Sequence, residues 1–264
     1  MRTALVAGLG LIGGAVGMAL RRAGWRVTYL DPNVALEDAQ RAGAADAVAD
    51  GSHDITVIAT PVDVAMGLLN VGQASACPGP EGQAGLSREP QGQAEACPTL
   101  TTCSVMAPFS GLVNVVAGHP MAGWHEGGLT NAHHVRLGGA RWFLARPDPL
   151  VEELVRDCGS VPVPVDAHEH DAAMALVSHL PQVLSTALFA YLGDRNVEAF
   201  AGEGLRSFRL AASEGSMWRP VLEANRDQLA PHAAGIADLV RAIIEGRDGD
   251  AFARARRLWQ SLQR

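Results

Sequence analysis

With 264 residues, 48% of them hydrophobic and 19% charged, the chain can bury a substantial core and has the make-up of a soluble globular protein of one or two domains. A formal net charge of −7 argues against nucleic acid or an anionic membrane surface as partner, while leaving room for a small anion held by a few local arginines. The four cysteines lack zinc-ligand spacing and framework density, and the first apolar run is too broken by glycine for a signal peptide or a span, so a cytoplasmic location is expected.

In chain order, "TALVAGL" reads as a buried strand, "IGGAVGMALRRAG" as a helix and "WRVTYLD" as a second strand. "PNVALEDAQRAGA" is helical again and "DITVIATP" is a third strand. Strands alternating with helices imply an α/β fold with a parallel sheet. Three ten-residue units opening on GQA follow, at 72, 82 and 92. They are rich in Gly, Pro, Ala and Gln and poor in large apolar residues, so 72–98 is expected to be an irregular insertion. "ARWFLARP" and "VPVPVD" look like late strands flanking a short helix, "LVEELVRDCG". From Ala167 the pattern is helical to the end. "HDAAMALVSHLPQVLSTALFAYL" is long and apolar enough to be expected at the centre of that helical part. The division expected is 1–166 for a Rossmann-type domain and 167–264 for an all-helical one.

Gly8, Gly10 and Gly13 in "GLGLIG" satisfy the dinucleotide fingerprint, in the strand–turn–helix context that gives it meaning. The first glycine allows the tight turn, the second lets backbone approach a pyrophosphate, and the third lets helix and strand pack closely. The helix N-terminus then offers free N–H groups to phosphate, so Leu11 and Ile12 join the cofactor set, with Thr60 at the end of the third strand. Asp31 ends the second strand, where a carboxylate accepts hydrogen bonds from a ribose diol. No Arg or Lys lies between Asp31 and Arg41, so nothing near is expected to bind a 2′-phosphate, and NAD is favoured over NADP.

His119 stands between Gly118 and Pro120 at the end of an apolar run. Proline biases it towards extended backbone and glycine permits close approach, which suits a base presented at a strand end. With a pKa near the ordinary imidazole value of about 6.5, it would accept a proton near neutral pH. The plain alternative is a polar residue where a strand meets solvent. His179 lies two residues before Pro181, which frees the Val177 carbonyl and bends the helix; a satisfied core histidine is the alternative. Arg206 and Arg209 share a helical face, three residues apart, and suit a carboxylate ligand. "HEHD" at 168–171 and the His125, His133, His134 group raise a metal site, but hydride transfer with a histidine base needs none, and none is expected. The chain contains no lysine, which excludes a catalytic one.

Together, "GHPMAG" (118–123), "VSHLPQ" (177–182) and "RLAASEGSMW" (209–218) resemble the prephenate dehydrogenase family, nearly end to end. The resemblance implies NAD-dependent oxidative decarboxylation of prephenate to 4-hydroxyphenylpyruvate in tyrosine biosynthesis, with arogenate dehydrogenase or a non-catalytic NAD-binding paralogue as alternatives. It also implies a homodimer formed through the helical domain. His119 would be the catalytic base and Ser104 would orient it and the substrate hydroxyl. His179 and Arg209 would bind substrate, and Trp218 would help enclose the site. The pattern is broken around Ser104: Thr102 and Cys103 precede it where an acid and a glycine are usual, and Met106 replaces a lysine. Trp124 and His125 also depart from the pattern.

Overall fold

The computed structural model describes residues 1–71 and 97–263. Apart from Cys97 and Pro98, the 72–98 insertion lies outside the described residues, and so does Cys77.

The first part builds β1 (Thr3–Ala7), α1 (Leu11–Arg22), β2 (Arg26–Leu30), α2 (Leu36–Arg41), β3 (Ala47–Val48), β4 (Ile55–Ile58), α3 (Val62–Val71), β5 (Thr99–Thr101) and β6 (Val115–Val116). All six strands are parallel, in the order β3-β2-β1-β4-β5-β6. The order reverses between β1 and β4, so their carboxyl ends open a crevice, the usual ligand position in such sheets. β1 and β4 read as nearly continuous apolar runs because both faces are covered: Ala4, Val6, Ile55 and Val57 are fully buried.

A second, three-stranded sheet comes from β7 (Gly118–Pro120), β8 (Arg141–Leu144) and β9 (Val161–Pro164), with α4 (Pro149–Asp157) between the last two. β7 pairs antiparallel with β8, and β8 parallel with β9. The two late strands thus form, but outside the parallel sheet. His119 pairs with Phe143 in the middle of β7, instead of at the tip of a parallel strand. Gly118 is what allows β7 to lie so close to the parallel sheet. A Cβ there would fall 2.6 Å from Leu100 Cδ1, 2.9 Å from the Thr101 carbonyl and 2.9 Å from Trp142 Nε1.

One continuous helix runs from 167 to 192: α5 (Ala167–Met174), a π-helical stretch at Ala175–His179, and α6 (Leu180–Leu192). Pro181 comes just after the widened turn, which accommodates its missing N–H. The helix supplies Ala175 and Leu180 to the core of the helical part, where they pack with Leu229, as its composition suggests, but its other side is bare. Leu176, Val177, Phe189 and Tyr191 are exposed, and about a third of its apolar window is buried. It is also long and apolar enough to cross a membrane, but its polar side is committed to the site described below. α7 (Glu203–Arg206), α8 (Gly215–Ala224), α9 (Arg226–Ile244) and α10 (Ala251–Leu262) complete the chain. The two parts meet in one apolar cluster, where Ala167, Val221 and Trp218 pack with Val105, Met106 and Phe109.

Candidate functional site

The glycine turn is built as its motif requires. Gly8 has φ +87°, open to glycine at little cost, and a Cβ there would crowd Thr60 and the Ala59 carbonyl. A Cβ on Gly13 would fall 1.9 Å from the Gly8 carbonyl oxygen, so α1 can approach β1 only through glycine. Gly10, by contrast, faces open space, which leaves the backbone accessible beside Leu11 and Ile12 at the start of α1. Beside this turn, Thr60 Oγ1 is buried with no hydrogen-bond partner among the described residues.

A cleft of about 810 Å3 runs from the turn along Leu9, Asp31, Asn33, Val34 and Leu129. Asp31 accepts from the Leu9 and Asn33 amides at 2.8 and 2.9 Å, so its carboxylate is fixed at the mouth of the crevice. Arg41 also lines this cleft, which corrects the expectation that no basic residue is near. Its guanidinium is tied to Asp38 at 2.7 Å, so the charge is already paired. An open Gly10 backbone, a fixed carboxylate and an orphan Thr60 hydroxyl fit an adenine dinucleotide.

On the other side lies a chain of buried polar groups. His119 Nδ1 is 3.0 Å from His170 Nε2, and His170 Nδ1 is 2.8 Å from Asp171 Oδ1. Asp171 accepts the Met106 amide at 2.8 Å and the Ala107 amide at 2.8 Å, docking the segment that carries Ser104. Asn225, at the α8–α9 junction, donates to the Asp171 carbonyl at 2.8 Å and lies 3.0 Å from His179 Nδ1. His179 is fully buried, and its Nε2 has no partner among the described residues. The Trp218 ring stands edge-on to it at 5.9 Å, with its own Nε1 buried and unpaired among the described residues.

Burial, then the neighbouring His170 and His179, pushes His119 down to about 3, although Asp171 opposes this. The expectation of an ordinary imidazole value is therefore corrected: removing the ring from water disfavours its cation. Burial also lowers His179. Both rings are neutral at pH 7. The Cys103 thiol, next to Ser104, is pushed up to about 12 by burial, so it is no nucleophile at that pH.

The structure gathers His119, His179 and Trp218. Ser104 is half-buried on its docked segment, and Nδ1 of His119 is taken by His170. Arg206 and Arg209 do not share a helical face: α7 ends at Arg206, and Arg209 opens a separate 3-10 turn after Phe208 leaves helical geometry. Both are exposed. The Arg209 turn is anchored to the His179 helix, because the buried Gln182 amide donates to the Leu210 carbonyl at 2.9 Å. Sequence reading missed His170, Asp171, Gln182 and Asn225 as parts of the site. "HEHD" is the visible signal for the first two, but sequence reading weighs it only as a metal site, which is not expected, and does not foresee its hydrogen bonding.

Residues 166–257 match the family model described as prephenate dehydrogenase, dimerization domain. A probable prephenate dehydrogenase of Streptomyces niveus is 29% identical over 100% of this chain and 75% of its own length. A crystal structure of A. aeolicus prephenate dehydrogenase with hydroxyphenyl propionate and NAD+ superposes with a TM-score of 0.78 at 20% identity, covering 100% of this chain and 98% of that one. Synechocystis arogenate dehydrogenase gives 0.66 at 20% identity, over 99% and 97%. At these identities the two superpositions speak for the fold.

Proposed function

We propose that the chain is a prephenate dehydrogenase, as the match of residues 166–257 and the 29% identical relative support, and that it oxidatively decarboxylates prephenate to 4-hydroxyphenylpyruvate with NAD, a step towards tyrosine. The observation that carries this reading is His119: a ring kept neutral, with Nδ1 hydrogen-bonded to His170, in the same buried polar cluster as His179.

NAD, when bound, supplies the hydride acceptor. Gly8, Gly10 and Gly13 with Leu11 and Ile12 would cradle its pyrophosphate, Asp31 its ribose diol, and Thr60 would add a hydroxyl. His119 takes up the proton of the ring hydroxyl as hydride leaves the same carbon. Loss of carbon dioxide from the opposite ring carbon completes the aromatic ring, and the proton returns to the phenol oxygen. The net reaction consumes prephenate and NAD+ and yields 4-hydroxyphenylpyruvate, carbon dioxide and NADH. His179 and Arg209 would hold the substrate's oxygens, Trp218 would exclude water, and Ser104 would steady the hydroxyl. The same reading divides the chain at 166/167 and pairs two copies in a cytoplasmic homodimer.

Purified protein should form NADH with prephenate and NAD, with NADP much poorer because its 2′-phosphate would meet Asp31. Faster turnover of arogenate would reassign the substrate, and no turnover of either would mark a non-catalytic NAD-binding paralogue.

A further inference from the structure

We propose that Asp171, acting through His170 on one side and Asn225 on the other, is a positioning residue that locks His119 and His179 in opposite tautomers, one presenting a bare nitrogen and the other an N–H. This rests on the functional reading above for its consequence, but not for its geometry.

Start at the carboxylate, which is 2% exposed. It receives two backbone amides, from Met106 and Ala107, which can only donate. An ionised carboxylate satisfies both and accepts a third hydrogen bond from His170 Nδ1. A neutral His170 with its proton on Nδ1 has a lone pair on Nε2, which must accept from His119 Nδ1. His119 then carries its proton on Nδ1, and its Nε2 is left bare to take a proton.

The second branch fixes the other ring. The Asp171 carbonyl can only accept, so the Asn225 side-chain nitrogen, 2.8 Å away, must face it. That places the remaining amide hydrogen towards His179 Nδ1 at 3.0 Å, which accepts. A neutral His179 carries its proton on Nε2, the atom that is buried without a protein partner. A buried donor of this kind is costly unless a ligand oxygen fills it. One residue thereby sets an acceptor and a donor, as a substrate with a hydroxyl to activate and an oxygen to hold requires.

The test reads the tautomers directly, by long-range 1H–15N correlation spectra of the full-length protein without substrate, with His119 assigned from a His119→Asn spectrum. The wild type should show a pyridine-type Nε2 on His119 and a pyridine-type Nδ1 on His179. In Asp171→Asn the amide oxygen keeps the backbone donors and the NH2 turns to His170, so every donor in that chain reverses and His119 becomes protonated on Nε2. Its kcat should fall by about 10²–10⁴, with KM little changed, as expected when a base is held in the wrong tautomer. If Asp171→Asn does not fold, His170→Phe leaves the carboxylate on its backbone donors, and the His119 signals should lose their single-tautomer pattern. A wild-type His119 already protonated on Nε2, or signals and kcat unmoved in whichever variant folds, overturns the proposal. Absence of turnover of prephenate and arogenate by the wild type would overturn the functional reading while the tautomer assignment still stands or falls on the spectra.

Discussion

His119 is chemically simple and environmentally unusual. A base with a pKa near 6.5 would lose activity through an acid limb near that value; at about 3, the neutral form persists well below pH 6. The kcat/KM profile should therefore stay flat on the acid side from pH 7 to 6, and a limb near 6.5 that vanishes in His119→Asn would contradict the burial effect. His119→Asn itself should fold, bind NAD and lose about 10²–10⁴ in kcat. Stability carries the opposite sign. Below pH 6.5 the unfolded chain protonates its histidines while His119 stays neutral, so the native state loses stability as pH falls from 6.5 towards 3. His179 and His53, both lowered chiefly by burial, act in the same direction. Each contributes at most about 1.4 kcal/mol per pH unit. Melting temperature should drop steadily between pH 7 and 4, and less steeply in His119→Asn.

Elements were legible in the sequence in proportion to their length and period. β1, β2 and β4 are apolar runs bounded by turn residues, and the fingerprint was readable because its glycines answer to backbone clashes within one turn. β7 was not legible as a strand: three residues, two of them Gly and Pro, carry no alternation, and its partner β8 lies outside the parallel sheet. Nor could pattern show that Arg206 and Arg209 belong to separate turns, since Phe208 breaks the helix with no Gly or Pro at the break. The histidine and asparagine relay is tertiary, joining residues from β7, α5, the π-helical stretch and the α8–α9 junction. Gly118 ties the two kinds of information together. Gly118→Ala would force a methyl into Leu100, the Thr101 carbonyl and the Trp142 ring. Overpacking of this kind costs about 1–3 kcal/mol, so a melting-temperature loss of several degrees is expected, with kcat falling as β7 shifts. An unchanged melting temperature and kcat would show that β7 can move freely.

At the scale of the molecule, the helical part leaves a series of large apolar side chains in water. Phe200, Ile244, Phe252 and Trp259 are 88%, 81%, 72% and 65% exposed, and the outer side of the long helix adds Val177 and Tyr191. Single exposed apolar residues are ordinary, but a series on consecutive helices of one part marks an interface. Residues 166–257 match a dimerization domain, and a symmetric pair would cover the same patch on both copies. A membrane is the rival occupant for the Ala167–Leu192 helix. Crossing one would place the Asp171 carboxylate and its hydrogen-bonded neighbours at hydrocarbon depth and tear the helix from the parallel-sheet part, where Met106 and Ala107 hold it. Sedimentation at micromolar concentration should thus give a dimer without detergent. The double substitution Ile244→Glu and Trp259→Glu should shift it towards monomer, because two charges per copy would be desolvated at the contact. A wild type that sediments as a monomer, or one that pellets with lipid vesicles, would sink the dimer; a charged variant that remains fully dimeric would move the interface away from α9 and α10.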